Sequence, residues 1–123
     1  MIALDFDRPE MKTRDVFAAV SFRMRGIRLG DVKRDATGWE WVDLDLASPI
    51  VASQGTLSTE IVAAFVDDPH RRPRGIARDP DPILVRVDGR VFVVDGHHRL
   101  TAAMIRGDET LRCWVGNLGR SPP

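Results

Sequence analysis

The feature that most constrains this chain is an unbroken series of local signals between Pro82 and Gly107. Ile83-Leu84-Val85-Arg86-Val87 and Arg90-Val91-Phe92-Val93-Val94 are two apolar, β-branched stretches joined by Asp88-Gly89. That residue pair suits a two-residue hairpin, whose mirror-image turn needs positive φ at both central positions. The second strand runs directly into Asp95-Gly96, and a helix from about His97 to Arg106 follows. Leu100, Ala103 and Met104 form its apolar face, and Gly107 stops it. Glu109 to Val115 then alternates like a returning strand, so any fold must be built around strand, hairpin, glycine turn and helix.

The remaining segments are fitted to that unit. Thr13 is a candidate N-cap for a first amphipathic helix through Val16, Phe17 and Val20, ending near Gly26. Two short strands are expected over Ile27 to Lys33 and Trp39 to Leu44, with Arg34 to Gly38 as a hairpin loop. Trp39 and Trp41 share one face of the second strand, as a sheet-packing aromatic pair or, as the lesser alternative, a ligand platform. Ser58 caps a helix from Thr59 to about Val66, with Ile61, Val62 and Phe65 on one side and Pro69 closing it. A proline-punctuated surface loop follows from Pro69 to Pro82, and the Gly- and Pro-rich end from Gly116 to Pro123 is expected to fray. The expected fold class is α+β, a small mixed sheet with packed helices in one domain spanning residues 1–123.

Charge and cysteine content narrow the classes. Eighteen basic residues balance eighteen acidic ones, so no global positive charge points to sequence-independent binding of nucleic acid. Any polyanion site must be local, and the dense basic stretch is Arg71, Arg72, Arg74 and Arg78. Cys113 is the single cysteine, which excludes an intramolecular disulfide and reads as a buried structural thiol in a reducing compartment. No basic leader precedes an apolar core at the N-terminus and no apolar run reaches membrane-spanning length. The expected location is the cytoplasm, with no membrane partner.

Chemistry concentrates at Asp95-Gly96-His97-His98-Arg99. A strand, a glycine and a helix start present backbone N–H groups with a partial positive charge, and the glycine lets an anion approach closely. Arg99 offers a fork of donors for phosphate oxygens, His97 and His98 offer imidazoles that titrate near neutrality, and Thr101 offers a hydroxyl from the first turn. The expected phosphate-binding set is Gly96, His97, Arg99 and Thr101, with His97, His98 and Asp95 as catalytic candidates. The structural alternative is that Asp95 only caps the helix and both histidines are polar residues of its first turn. No zinc spacing is present. The remaining metal reading is Mg2+ held through nucleotide phosphates, with Asp95, Asp67 or Asp68 contributing.

Pro82-Ile83-Leu84-Val85, then Val91 to Ala103 with Asp95-Gly96-His97-His98-Arg99, then Gly107, together resemble the core of the ParB/sulfiredoxin superfamily. The resemblance covers roughly Pro82 to Val115. In chromosome-partitioning ParB proteins the matching motif, Gly-Glu-Arg-Arg-x-Arg, grips the triphosphate of CTP; Gly96 and Arg99 match it, while His97, His98 and Thr101 depart. In sulfiredoxins the position reads Gly-Cys-His-Arg with a catalytic cysteine; Gly96, His98 and Arg99 match, and His97 stands where the cysteine would. Asp-Gly-His-His-Arg is closer to superfamily members that look like ATP- or ADP-dependent small-molecule kinases. Ala52-Ser53-Gln54-Gly55-Thr56-Leu57 is similar to a loop that lies over the nucleotide pocket in ParB-like domains, which makes Gln54, Thr56 and Glu60 second-rank candidates beside Arg72 and Arg74.

The resemblance implies a domain that binds a nucleotide (CTP, ATP or ADP) or another phosphorylated small molecule, with NTP hydrolysis or phosphoryl transfer as the reaction class. A ParB-like nuclease or DNA-contacting module is the alternative, and requires the arginines of residues 71–78 on the face of the histidines. A non-catalytic interaction protein of a phage or mobile element is the third class.

Overall fold

A computed structural model of the chain describes residues 4–21, 28–71 and 81–119. Its centre is the expected hairpin. Strands β6 (Ile83–Val87) and β7 (Arg90–Asp95) pair antiparallel around Asp88 and Gly89, whose φ values of 52° and 76° are those of the mirror-image turn. Helix α3 (His97–Arg106) leaves β7 through Gly96 and stops at Gly107, where Gly107 N and Asp108 N donate back to Met104 O and Ala103 O. Strand β8 (Thr110–Asn117) then returns parallel to β6.

Around this unit the sheet grows in both directions. Strand β3 (Thr37–Asp45) pairs antiparallel with β8, so residues as far apart as Thr37 and Asn117 become neighbours. On the other side β4 (Ile50–Ala52) and β2 (Ala19–Val20) add parallel to β7. The order is β2-β4-β7-β6-β8-β3, with a separate antiparallel ladder of β1 (Glu10–Lys12) and β5 (Thr56–Ser58). With helices α1 (Leu29–Asp35) and α2 (Thr59–Asp67), the described residues form a mixed six-stranded sheet with three helices, an α+β arrangement.

Both faces of the sheet are buried at its centre, which is why β6 and β7 read as continuous apolar runs rather than alternating ones. Leu84 and Val93 join Val62 of α2 and Leu100 of α3 in one cluster. Their neighbours Val85 and Phe92 join Val32 and Ala36, from α1 and the residue after it, in a second cluster on the opposite face. Cys113 faces the first cluster, fully buried, and burial followed by the nearby carboxylates Asp81 and Asp43 pushes its thiol up to about 12. It is a structural residue and no nucleophile.

Three sequence expectations are corrected. Thr13 does not cap a helix: its buried hydroxyl donates to Gln54 O at 2.6 Å, only a 3-10 turn over Thr13–Asp15 forms, and Ala19–Val20 pairs as a strand. The part of Ile27 to Lys33 that is described belongs to helix α1, so Arg34 to Gly38 is the helix end and strand start rather than a hairpin loop. Gly116 and Asn117 continue β8, and Leu118 N donates to Arg86 O at 3.0 Å, so the terminal segment is ordered that far. Gly26, Ile27, Arg72, Arg74 and Arg78 lie outside the described residues. No described helix is long and apolar enough to cross a membrane.

Candidate functional site

Strands β2, β4 and β7 run parallel, so their carboxyl ends open onto one edge of the sheet, at Ser21, Ser53 and Gly96. In open sheets this is where ligands are bound. The turn after β7 depends on glycine. Gly96 sits at φ 99°, and a Cβ there would lie 2.7 Å from Pro82 Cβ and 2.8 Å from Pro82 Cα. Positive φ and the proline ring both reserve the position for a residue without a side chain. The first intrahelical bond of α3 runs from Leu100 N to Gly96 O, so the amides of His97, His98 and Arg99 precede the helical ladder.

The two histidines reach back to the segment after β4. Ser53 N donates to His97 Nε2 at 3.0 Å, and Ser58 N donates to His98 Nε2 at 3.1 Å. An imidazole nitrogen that accepts a main-chain N–H is unprotonated, so both rings are neutral with the proton on Nδ1. Burial, with the neighbouring His98 as the lesser cause, pushes His97 down to about 4, and burial also holds His98 below the ordinary imidazole value. The Phe17 ring meets His97 edge-on at 5.9 Å, and Ser53 Oγ, donating to Val93 O at 2.6 Å, lies 3.4 Å from the same Nε2. The Nε2 atoms of His97 and His98, the catalytic candidates of the sequence, are therefore acceptors that clamp residues 53–58 over the helix start.

Ser58 is at once the partner of His98 and the N-cap of α2, its Oγ accepting from Ile61 N at 3.3 Å. Through that one residue the starts of α2 and α3 lie side by side, and both positive helix ends face the same region. Gln54 and Thr56 belong to the clamped segment; the Gln54 amide donates to Thr56 O at 3.0 Å. Glu60 is exposed in the first turn of α2.

Two expected phosphate ligands are engaged elsewhere. Thr101 is fully buried and its hydroxyl donates to His97 O at 2.8 Å, one turn back in the helix, so it presents nothing to a ligand. Arg99 is 6% exposed, its guanidinium donating to Pro69 O and Arg71 O with its carbon 4.5 Å above the Phe65 ring. Its fork grips main chain. Pro82, at the other end of residues 72–80, packs on Gly96, so the described anchors on both sides of the basic segment lie on the first turn of α3.

Asp95 ends β7, half-buried, and does not cap α3, whose N-cap is Gly96. Asp67 and Asp68 close the far end of α2, where Asp68 Oδ1 accepts from His70 N at 3.2 Å. Among the described residues no group of three or more histidine, cysteine or carboxylate side chains could hold a metal ion. Sequence reasoning found the turn and the cap but missed Ser53, Ser58 and Thr13 as the partners that shape it. The polar Ser53-Gln54-Gly55 after apolar Ile50-Val51-Ala52 is the strand-to-turn signal that marks Ser53; the contacts of Ser58 and Thr13 have no such signal.

No family model matches the chain, and no curated protein or solved structure matches it.

Proposed function

We propose that this chain is a ParB/sulfiredoxin-like domain that binds the phosphates of a nucleotide at the turn between β7 and α3. The observation that carries the reading is the Ser58–His98 bond, which sets the starts of two helices beside Gly96 at the carboxyl ends of parallel strands. Phosphate oxygens would accept from the amides of His97, His98 and Arg99, at a glycine that keeps side chains out of the way. Arg99 supports the site by holding Pro69 and Arg71 rather than by touching phosphate.

Binding is better supported than turnover. A general base needs an available lone pair, and the Nε2 atoms of His97 and His98 are both occupied by main-chain amides. Of the three carboxylates considered for magnesium, Asp95 alone adjoins the turn, so the described residues form no resident Mg2+ cage and the ion would arrive with its nucleotide. ATP, ADP and CTP are the candidates. Contact with DNA is the second reading, favoured by the contacts of Arg71 O with Arg99 and of Pro82 with Gly96 at the start of α3; it requires Arg72, Arg74 and Arg78, which lie outside the described residues, on the face of the histidines.

Amide NMR spectra recorded while CTP, ATP, ADP and GTP are titrated with magnesium test the proposal. Saturable shifts centred on Gly96 to Leu100 and Ser58 to Glu60 are expected for at least one nucleotide. Absence of saturable shifts with all four, in folded protein, overturns the nucleotide reading. Binding of duplex DNA that weakens steeply with salt, without mononucleotide binding, replaces it with the second one.

A further inference from the structure

Strand β3 is one edge of the six-stranded sheet and pairs on its inner side with β8. Two bonds fix which of its main-chain groups face outward. Leu46 N donates to Glu109 O at 3.0 Å, in the register that sets Asp45 against Thr110, and Trp114 N turns away from β3 to Pro82 O at 2.8 Å. Bonded and non-bonded positions alternate in an antiparallel pair, so Val42 and Leu44 bond β8 while Trp41, Asp43 and Asp45 point their N–H and C=O groups to the open side. Arg112 covers Trp41 O at 3.3 Å, and Ser48 N covers Asp45 O at 3.2 Å. The amides of Trp41, Asp43 and Asp45 and the carbonyl of Asp43 have no hydrogen-bond partner among the described residues.

We propose that this edge is a docking site for an extended basic segment of a partner protein, which adds as a further strand beside β3. The site is independent of the phosphate reading of the β7–α3 turn. An edge that presents unpaired main-chain groups is a template for strand addition, and the side chains along it decide which strand is accepted.

Charge selects the partner. Strand β3 contains Glu40, Asp43 and Asp45 and no lysine or arginine. Arg112 meets Asp43 at 3.2 Å, whereas Glu40 and Asp45 have no basic partner among the described residues. Asp81 adds a carboxylate beside the edge, its Oδ2 accepting from the Trp41 indole N–H at 2.7 Å. Past Asp45, a cavity whose described lining includes Leu46, Met104 and Glu109 continues the acidic surface over apolar side chains. A lysine or arginine stem can lie on Leu46 and Met104 with its charge beside Glu109. Asp43 and Asp45 share one face of β3, and Val42 and Leu44 share the other, where they pack in the cluster under α2 and α3. The strand that fits therefore alternates, with basic residues opposite Asp43 and Asp45 and apolar ones beside Val42 and Leu44. A second copy of this chain is the poorer occupant, because it brings the same three carboxylates to the shared edge.

The peptide Ac-Thr-Lys-Val-Lys-Val-Lys-Thr-NH2 is titrated against 15N-labelled protein. Its counterpart with glutamate for lysine and a scrambled peptide of the same composition with the lysines adjacent serve as controls. Saturable shifts along β3 are expected with the alternating basic peptide alone, and hydrogen exchange at the Trp41, Asp43 and Asp45 amides should slow in the complex. The Val42 and Leu44 amides, already bonded to β8, should not change. Asp45→Asn, which keeps an oxygen for Ala47 N, combined with Glu109→Gln should weaken binding about fivefold, the scale of two exposed charge contacts, with the fold intact. Shifts that do not saturate, equal binding of the scrambled or acidic peptide, or exchange at the three outward amides that the peptide leaves unchanged overturn the proposal. Protection of those amides in the free protein that grows with its concentration also overturns it, in favour of a second copy.

Discussion

At the scale of single residues, His97 couples the candidate site to pH. The unfolded imidazole takes its proton near 6.5 and the folded one near 4, so between these values the unfolded chain binds more protons. Stability must therefore rise with pH across this window and fall as pH drops toward 4, by up to about 3 kcal/mol from this one side chain. His98, also lowered, adds in the same direction. Urea midpoints measured from pH 7 to 4.5 should fall steadily, and His97→Gln, which retains an acceptor for Ser53 N but does not titrate, should flatten that dependence. A second residue-scale prediction concerns Thr59, 3% exposed, whose Oγ1 is buried without a hydrogen-bond partner. Replacing an unsatisfied buried hydroxyl by a methyl of the same shape removes a desolvation cost, so Thr59→Val should stabilise by about 1 kcal/mol in chemical denaturation. Gly96→Ala acts oppositely, forcing a Cβ onto Pro82 at positive φ, and should cost about 2 kcal/mol or more.

At the scale of elements, α2 and α3 illustrate what local sequence can and cannot specify. The hairpin, α3 and its glycine stop are all fixed by neighbours in sequence: Asp88-Gly89, a helical apolar face and Gly107. They were legible for that reason. Ser58 was legible as a cap because the capped amide, that of Ile61, is three residues away. Its other bond, to His98 forty residues on, leaves no local signature, and neither does Thr13 bonding Gln54 O across forty-one. The same limit explains the misread elements. Val16, Phe17 and Val20 recur at helical spacing, but Val20 and Ala19 gain a parallel partner in β4 that no periodicity reveals. Helix α1 buries Val32 at only 1% exposure and Ala36 just beyond it, too few positions to declare a period. The site followed the same rule: the Asp95 to Arg99 segment was recognised, while the fact that its histidines accept and its arginine grips carbonyls emerged only with their distant partners. Ser58→Ala tests the double role. It removes the cap but keeps the main-chain bond to His98, so it should cost about 1 kcal/mol in stability without moving the His98 ring resonances.

At the scale of the whole molecule, one sheet separates two layers of unequal weight. The layer of α2 and α3 contains most of the buried apolar side chains, whereas α1 contributes Val32 and is followed by Ala36 over the opposite face. Strand β2 has two residues on the sheet edge, and β1 and β5 form a ladder of their own. Local opening is least costly where few apolar contacts are lost, so the layers should open separately. Native-state hydrogen exchange checks this. The amides of Leu84, Val85, Phe92 and Val93, in strands whose side chains are at most 1% exposed there, should exchange only through global unfolding, with a urea dependence equal to the equilibrium value. Amides of α1 and β2 should exchange through smaller openings with a shallower urea dependence. The Ser53 and Ser58 amides discriminate further, because their acceptors are imidazoles of α3. If the histidines clamp the segment as argued, these two amides should be protected at pH 7 almost as well as α3 itself. The protection of Ser53 should fall ahead of the global transition as pH approaches the His97 value near 4, and that of Ser58 as His98 takes its proton below the ordinary imidazole range, since a protonated ring can no longer accept. Protection unchanged by pH until the whole sheet opens would show that residues 53–58 are held by the β1–β5 ladder, with the histidines as bystanders.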